Sequence, residues 1–131
     1  MEYVQLFSDA APVYKAQADL IKALAHPTRL QILEILAVEE SCVCHLTAIL
    51  SQRQPYVSQQ LMTLRNAGLV LDRKDGVMVY YRLAAPCIAT LITLTRQLVS
   101  EAEGSLAFPP VPRSPVSGCP CPKCQGVGCW N

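Results

Sequence analysis

The sequence predicts a mainly α-helical chain with one β-hairpin, closed by a flexible Cys/Pro-rich C-terminal tail. Three observations predict it. Apolar residues recur at helical spacing up to residue 67 and again after Pro86. Two β-branched and aromatic runs, residues 69–74 and 77–83, flank Asp75-Gly76, a pair suited to the positive φ angles of a tight hairpin turn. From residue 104 onward, six prolines and four glycines accumulate and little apolar matter is left to bury.

The elements follow in order. Residues 14–25 place Leu20, Ile21 and Leu24 at helical spacing, with Lys15, Asp19 and Lys22 left for solvent. His26-Pro27 ends that run, because proline disfavours helix at the residue before it, and Pro27 can open the next helix. Leu30, Ile32, Leu33, Ile35 and Leu36 make that second helix central to the core. Glu39, Glu40 and Ser41 break it. A short third helix fits residues 45–50, with Leu46, Ile49 and Leu50 inward. Residues 51–54 form a polar turn. Pro55 then opens a helix to Ala67, striped by Val57, Leu61 and Leu64, with Gly68 as its stop. After the hairpin, Pro86 starts a last helix to about Glu103, carrying Ile88, Leu91, Ile92, Leu98 and Val99. The chain thus divides into a body, residues 1–104, and a tail, residues 105–131.

Length and composition narrow the function. At 131 residues the chain fits one small domain with extras, and 51% apolar residues suffice for a core. There is no run of 18 uncharged apolar residues, so no membrane span is expected. The first residues lack a basic region and a long apolar core, so no signal peptide is expected and the cytoplasm is the expected compartment. Seven cysteines, an odd number, argue against a disulfide framework and for metal binding or redox sensing. No catalytic triad, phosphate loop or paired carboxylates stand out, so neither an enzyme nor a small-molecule substrate is expected.

Charge is distributed unevenly. Residues 1–52 carry a balance of −3, whereas residues 53–82, with Arg53, Arg65, Arg73, Lys74 and Arg82 against Asp72 and Asp75, carry +3. Two short helices, a polar turn and a basic hairpin in that order describe a winged helix-turn-helix that binds double-stranded DNA. The helix from Pro55 to Ala67 would enter the major groove. Gln54, Ser58, Gln59 and Gln60 are suited to base edges. Arg53, Tyr56 and Arg65 suit phosphates, and Arg73 and Lys74 at the hairpin would reach an adjacent groove or the backbone.

Three segments resemble the ArsR/SmtB metal-sensing repressors: residues 22–33, 57–70 and 76–83. The resemblance spans about residues 14–103. It implies a homodimer that leaves its operator when metal binds, with the first and last helices forming the dimer interface. Gln60 departs from the pattern, since many relatives carry histidine there. The family's metal box reads Glu-Leu-Cys-Val-Cys-Asp-Leu, and residues 40–46 read Glu-Ser-Cys-Val-Cys-His-Leu. The resemblance therefore carries thiolate ligands onto Cys42 and Cys44. His45 replaces the acidic residue, and Thr47 stands where several arsenic sensors have a third cysteine.

Two thiols are too few for a three-coordinate arsenite-type ion, so a further ligand is needed. The tail offers Cys119, Cys121, Cys124 and Cys129, which could encircle one ion or complete the Cys42/Cys44 site. No histidine follows His45, so the last-helix site of zinc-responsive relatives is absent. The expected inducer is therefore arsenite or antimonite, or else cadmium or lead. Residues two apart lie nearly opposite on a helix, so Cys42 and Cys44 can share an ion only outside regular helix. Binding is expected to fray the first turn of the third helix, and a helix N-terminus is expected to lower the cysteine pKa. The other readings of the thiols are small buried apolar side chains, a repressor sensing oxidation, and a metal-sequestering protein. His45 is expected to be solvated or capping, His26 structural, and Cys87 packed in the core. An oxidoreductase built on Cys121 and Cys124 is not expected, because Pro122 and the surrounding tail supply no helix N-terminus beside them.

Overall fold

The computed structural model describes residues 2–104 and 107–125. Ten elements run in order: α1 (Glu2–Asp9), α2 (Ala11–Leu24), α3 (Pro27–Val38), β1 (Ser41–Cys42), α4 (Val43–Leu50), α5 (Gln54–Asn66), β2 (Val70–Asp75), β3 (Met78–Leu83), α6 (Pro86–Ala102) and α7 (Pro122–Gln125). The expected helices and hairpin are present, and the arrangement is a winged helix-turn-helix. Helix α1 was not foreseen, although Tyr3, Leu6 and Phe7 already carry helical spacing.

Local signals account for the boundaries. His26 caps α3, its Nδ1 accepting from the Thr28 amide at 3.2 Å, which is a structural role as expected. Ser51, at φ 52°, ends α4 in the left-handed region and turns the chain toward α5. Helix α5 stops in a Schellman arrangement: the Gly68 amide bonds the Arg65 carbonyl and the Leu69 amide bonds the Leu64 carbonyl, both at 3.0 Å. Gly68 supplies the φ of +77° that this stop requires, and Leu64 and Leu69 bury the accompanying apolar contact.

The sheet order is β1-β3-β2, antiparallel throughout. Ser41 faces Tyr81 and Cys42 faces Tyr80, so the two-residue strand β1 ties the entry of α4 to the wing. The main core is aliphatic. Ile32, Leu33, Leu46, Val57, Leu61, Leu64 and Val70 are fully buried, joining α3, α4, α5 and β2. Each such side chain contributes roughly 1.5–3 kcal/mol on burial. Apolar side chains on α1, α2 and α6 stay outside, including Tyr3, Phe7, Ile21, Leu94 and Leu98. Cys87 is exposed at the start of α6, not packed in the core as expected, because the inward positions there are taken by Ile88 and Ile92.

The tail has little regular structure, yet its described part lies along the body. Arg96 stacks over the Phe108 ring at 4.5 Å, Val111 packs on the aliphatic core, and the Ser114 hydroxyl donates to Glu39. Among the described residues, no helix is long and apolar enough to cross a membrane.

Candidate functional site

Cysteine 42 occupies two elements at once. It is the last residue of β1, paired with Tyr80 of the wing, and it is the N-cap of α4, its Sγ accepting from the His45 amide at 3.3 Å. Its backbone is extended, at φ −83° and ψ 167°, so Cys44, in the first turn of α4, presents its sulfur on the same side. The two Sγ atoms lie 2.7 Å apart. The segment thus breaks from helix where sharing an ion requires it, and no fraying of α4 is needed to bring the sulfurs together.

The tail closes the site. The sulfurs of Cys42, Cys44, Cys119 and Cys121 all lie within 4.8 Å of one another. Cys119 and Cys121 are fully buried, packed with Cys42 and Tyr80. A second group overlaps the first: donor atoms of His45, Cys119, Cys121 and Cys124 are likewise within 4.8 Å. Cys124 Sγ is 3.3 Å from His45 Nδ1 and accepts from the Val116 amide at 3.3 Å. His45 itself is buried, not solvated as expected. Its Nε2 lies 3.7 Å from Glu39 Oε1. Position 45 falls one turn before Ile49 on the packed side of α4, and that spacing was the available signal. Of the tail cysteines singled out in the sequence, Cys129 lies outside the described residues.

The donor set fits a soft ion. Metal–sulfur bonds of about 2.3 Å around a tetrahedral centre imply sulfur–sulfur edges of about 3.8 Å. Cys119 and Cys44 stand at 3.7 Å, and the 2.7 Å pair would have to open by roughly 1 Å. The expected lowering of thiol pKa at the helix N-terminus does not hold for Cys42. Burial is the largest influence and pushes it up, the Cys44 thiol adds to this, and the His45 amide offsets only part. Burial pushes Cys119 up as well. Burial also opposes ionisation of Cys121, but the Cys124 amide and the surrounding thiols hold it below the ordinary thiol value. Thiols bind a cation as thiolates, so ion binding here is coupled to release of their protons.

The residues expected to face DNA lie on α5 and the wing. Arg53 is exposed at the N-cap of α5, Gln54, Ser58 and Gln59 are exposed on α5, and Lys74 is exposed on β2. Gln60 is placed elsewhere. It is buried beside Val57, Leu61 and Leu64, and its Oε1 accepts from Arg29 Nη1 at 3.0 Å. Positions 57, 60, 61 and 64 share one helical face, which the sequence pattern already contained. Tyr56 is half-buried, its hydroxyl 3.0 Å from Thr28 Oγ1. Arg65 pairs with Asp72 at 3.5 Å. Arg73 donates to both carboxylate oxygens of Glu40 and lies over the Tyr80 ring. A cleft of about 280 Å3 is lined by Cys42, Cys44 and Pro120 together with Gln54 and Val77.

A family model described as "Bacterial regulatory protein, arsR family" matches residues 26–71. The uncharacterized HTH-type transcriptional regulator Rv0081 of Mycobacterium tuberculosis is 39% identical over 94 residues, covering 71% of this chain and 82% of that one. The arsenical resistance operon repressor of Escherichia coli is 50% identical over 66 residues, half of this chain and 56% of the relative. A homodimeric winged helix-turn-helix DNA-binding domain from Mycobacterium bovis superposes with a TM-score of 0.67 at 31% identity, covering 76% of this chain and 93% of that one. These proteins are transcriptional regulators, not enzymes. The family match ends at residue 71, so Cys119, Cys121 and Cys124 lie outside it.

Proposed function

The chain belongs to the arsR family of bacterial regulatory proteins, and from that premise we propose that it is a transcriptional repressor whose cysteines sense a thiophilic ion and weaken its hold on operator DNA. The inducer is arsenite or antimonite, or else cadmium or lead. The observation that carries this reading is the placement of Cys42: its sulfur belongs to a four-thiol group, its backbone is paired to the wing, and its side chain caps α4. Helix α4 packs against α5, so a displaced Cys42 moves the wing and the reading helix together. Gathering the four sulfurs around an ion repositions Cys42, and that displacement is what the fold would transmit.

DNA contact in this reading comes from Gln54, Ser58 and Gln59 at base edges, with Arg53, Arg65, Arg73, Lys74 and Tyr56 toward phosphates. Gln60 then acts from behind, holding Arg29, whose Nε also donates to the Ala23 carbonyl at 2.6 Å. The protein works as a homodimer, with the exposed apolar faces of α1, α2 and α6 as its interface.

Operator binding of the reduced full-length chain, followed by fluorescence anisotropy, tests the proposal. Saturating arsenite or cadmium is expected to weaken binding about 5–150-fold, the range of a coupling of 1–3 kcal/mol. The Cys42→Ser, Cys44→Ser protein should bind DNA as before and ignore the ion. Saturation of the thiols with no change in operator affinity would refute it. The close sulfur pair also favours a second reading, release on oxidation to a Cys42–Cys44 disulfide. Loss of binding under oxidant, reversed by dithiol alone in the absence of metal, distinguishes that reading.

A further inference from the structure

We propose that the sulfur nest takes two soft divalent cations in one centre, bridged by the thiolates of Cys119 and Cys121, with Cys42 and Cys44 as the other ligands of one ion and His45 and Cys124 as those of the second. The inference rests on the reading above, that the nest binds thiophilic ions.

The argument is one of donor number and placement. Two groups of four donors exist, each with its atoms within 4.8 Å: Cys42, Cys44, Cys119 and Cys121, and His45, Cys119, Cys121 and Cys124. They share Cys119 and Cys121. Two tetrahedral ions joined along an edge need two bridging donors and two terminal donors each, six in all. The nest supplies that number in that arrangement. The shared pair is the central one, fully buried, while Cys44 and Cys124 at the two ends are half-buried. A single four-coordinate ion held by Cys42, Cys44, Cys119 and Cys121 would leave His45 and Cys124, 3.3 Å apart, outside the coordination sphere.

His45 is oriented for the part. Its Nδ1 points to Cys124 and its Nε2 to Glu39. A carboxylate behind the far nitrogen of a ligating imidazole fixes the tautomer and strengthens the donor, and it is the usual support of a metal-bound histidine. Glu39 in turn receives the amide and hydroxyl of Ser114, so the tail cysteines and the carboxylate behind His45 are held by one connection. Sulfur-rich donors with one imidazole suit cadmium and zinc, for which four-coordination is ordinary. Trivalent arsenic, with three bonds, would use one end of the nest.

The test titrates the reduced full-length chain with cadmium chloride. Native mass spectrometry is expected to show two cadmium ions per chain. Cadmium-113 NMR should give two resonances, one from an all-sulfur site and one from a site with three sulfurs and one nitrogen, split by coupling through the shared thiolates. Cys124→Ser should lose one of the two ions and keep the all-sulfur resonance. His45→Gln, a second and independent substitution, should do the same. Saturation at one ion, two resonances with no coupling, or two ions retained in both variants would each overturn the proposal. Operator release by a single bound ion would leave the sensing function intact while removing the second ion, whereas a nest that binds no cadmium would remove both.

Discussion

Two clusters of buried side chains hold this protein together, and they differ in kind. The aliphatic cluster, from Leu24 to Ile92, is assembled from the helices and strands of the body and is held by burial alone. The sulfur cluster joins Cys42 and Tyr80 of the body to Cys119 and Cys121 of the tail. It is small and its buried groups are thiols, whose ionised forms burial disfavours. The first cluster has no need of a ligand to be stable. The second is a group of donors that could hold a metal ion, and it sits where α4 meets the wing. In the proposed reading, stability and response then occupy separate places in one small fold.

The sharpest way to break that contrast is to damage each cluster. Leu61→Ala empties a fully buried site on α5 and should cost about 2–5 kcal/mol in urea unfolding. Cys119→Ala removes one sulfur from the other cluster and should cost about 1 kcal/mol or less in the metal-free chain. Equal losses would mean that the tail is part of the folding core. The converse experiment adds cadmium at a hundredfold excess over its Kd. That should stabilise the full chain by about 2.7 kcal/mol for each ion bound. The Cys119→Ser, Cys121→Ser protein should lose most of that gain while its metal-free stability barely moves.

The aliphatic cluster was legible in the sequence and the sulfur cluster only half so. Val57, Leu61 and Leu64 announce α5 by spacing alone, and Asp75-Gly76 announces the wing, because both depend on interactions a few residues apart. Cys42 and Cys44 were legible as a ligand pair through their spacing and the box around them. What joins them to the tail was not. Phe108 on Arg96, Val111 on the core and Ser114 on Glu39 are single contacts with no periodicity, set in a proline-rich segment whose composition reads as linker. Burial of His45 and Gln60 was missed for a different reason. Both lie on helical faces shared with leucines, and a polar side chain on such a face is buried when a partner waits there, here Cys124 and Arg29.

A subtler effect of the same contrast is pH dependence. In the metal-free fold, burial raises the thiols of Cys42 and Cys119 above the ordinary value of 9.0. A thiol raised in the folded state contributes stability that is fully present below the unfolded value and is lost as pH rises toward the folded one. The metal-free chain should therefore lose stability above about pH 9, and Cys42→Ser, Cys119→Ser should flatten that decline. Cation uptake reverses the sign, because the ligating thiols must give up their protons. Binding to the wild-type chain should release protons, detectable with a pH indicator in weak buffer. Proton-neutral uptake would place the ion away from these thiols.

The smallest expected effect concerns how firmly the wing is tied to the thiol segment. Arg73 Nε lies 3.1 Å from each oxygen of Glu40, two residues before Cys42, and its Nη2 lies 2.5 Å from Oε1. The pair is partly exposed, with side-chain accessibilities of 46% and 27%, so it should be worth only about 0.2–1 kcal/mol in stability. Its effect on DNA should be more visible. While Arg73 answers Glu40 it is poorly placed for phosphate, so Glu40→Gln should free it toward the operator. Affinity should rise at low salt, and the slope of log K against log salt should steepen by about one phosphate contact. Lys74→Gln should move the slope the other way. If Glu40→Gln leaves the slope unchanged, Arg73 takes no part in phosphate contact, and movement of Cys42 would reach DNA through α4 and α5 and not through the wing.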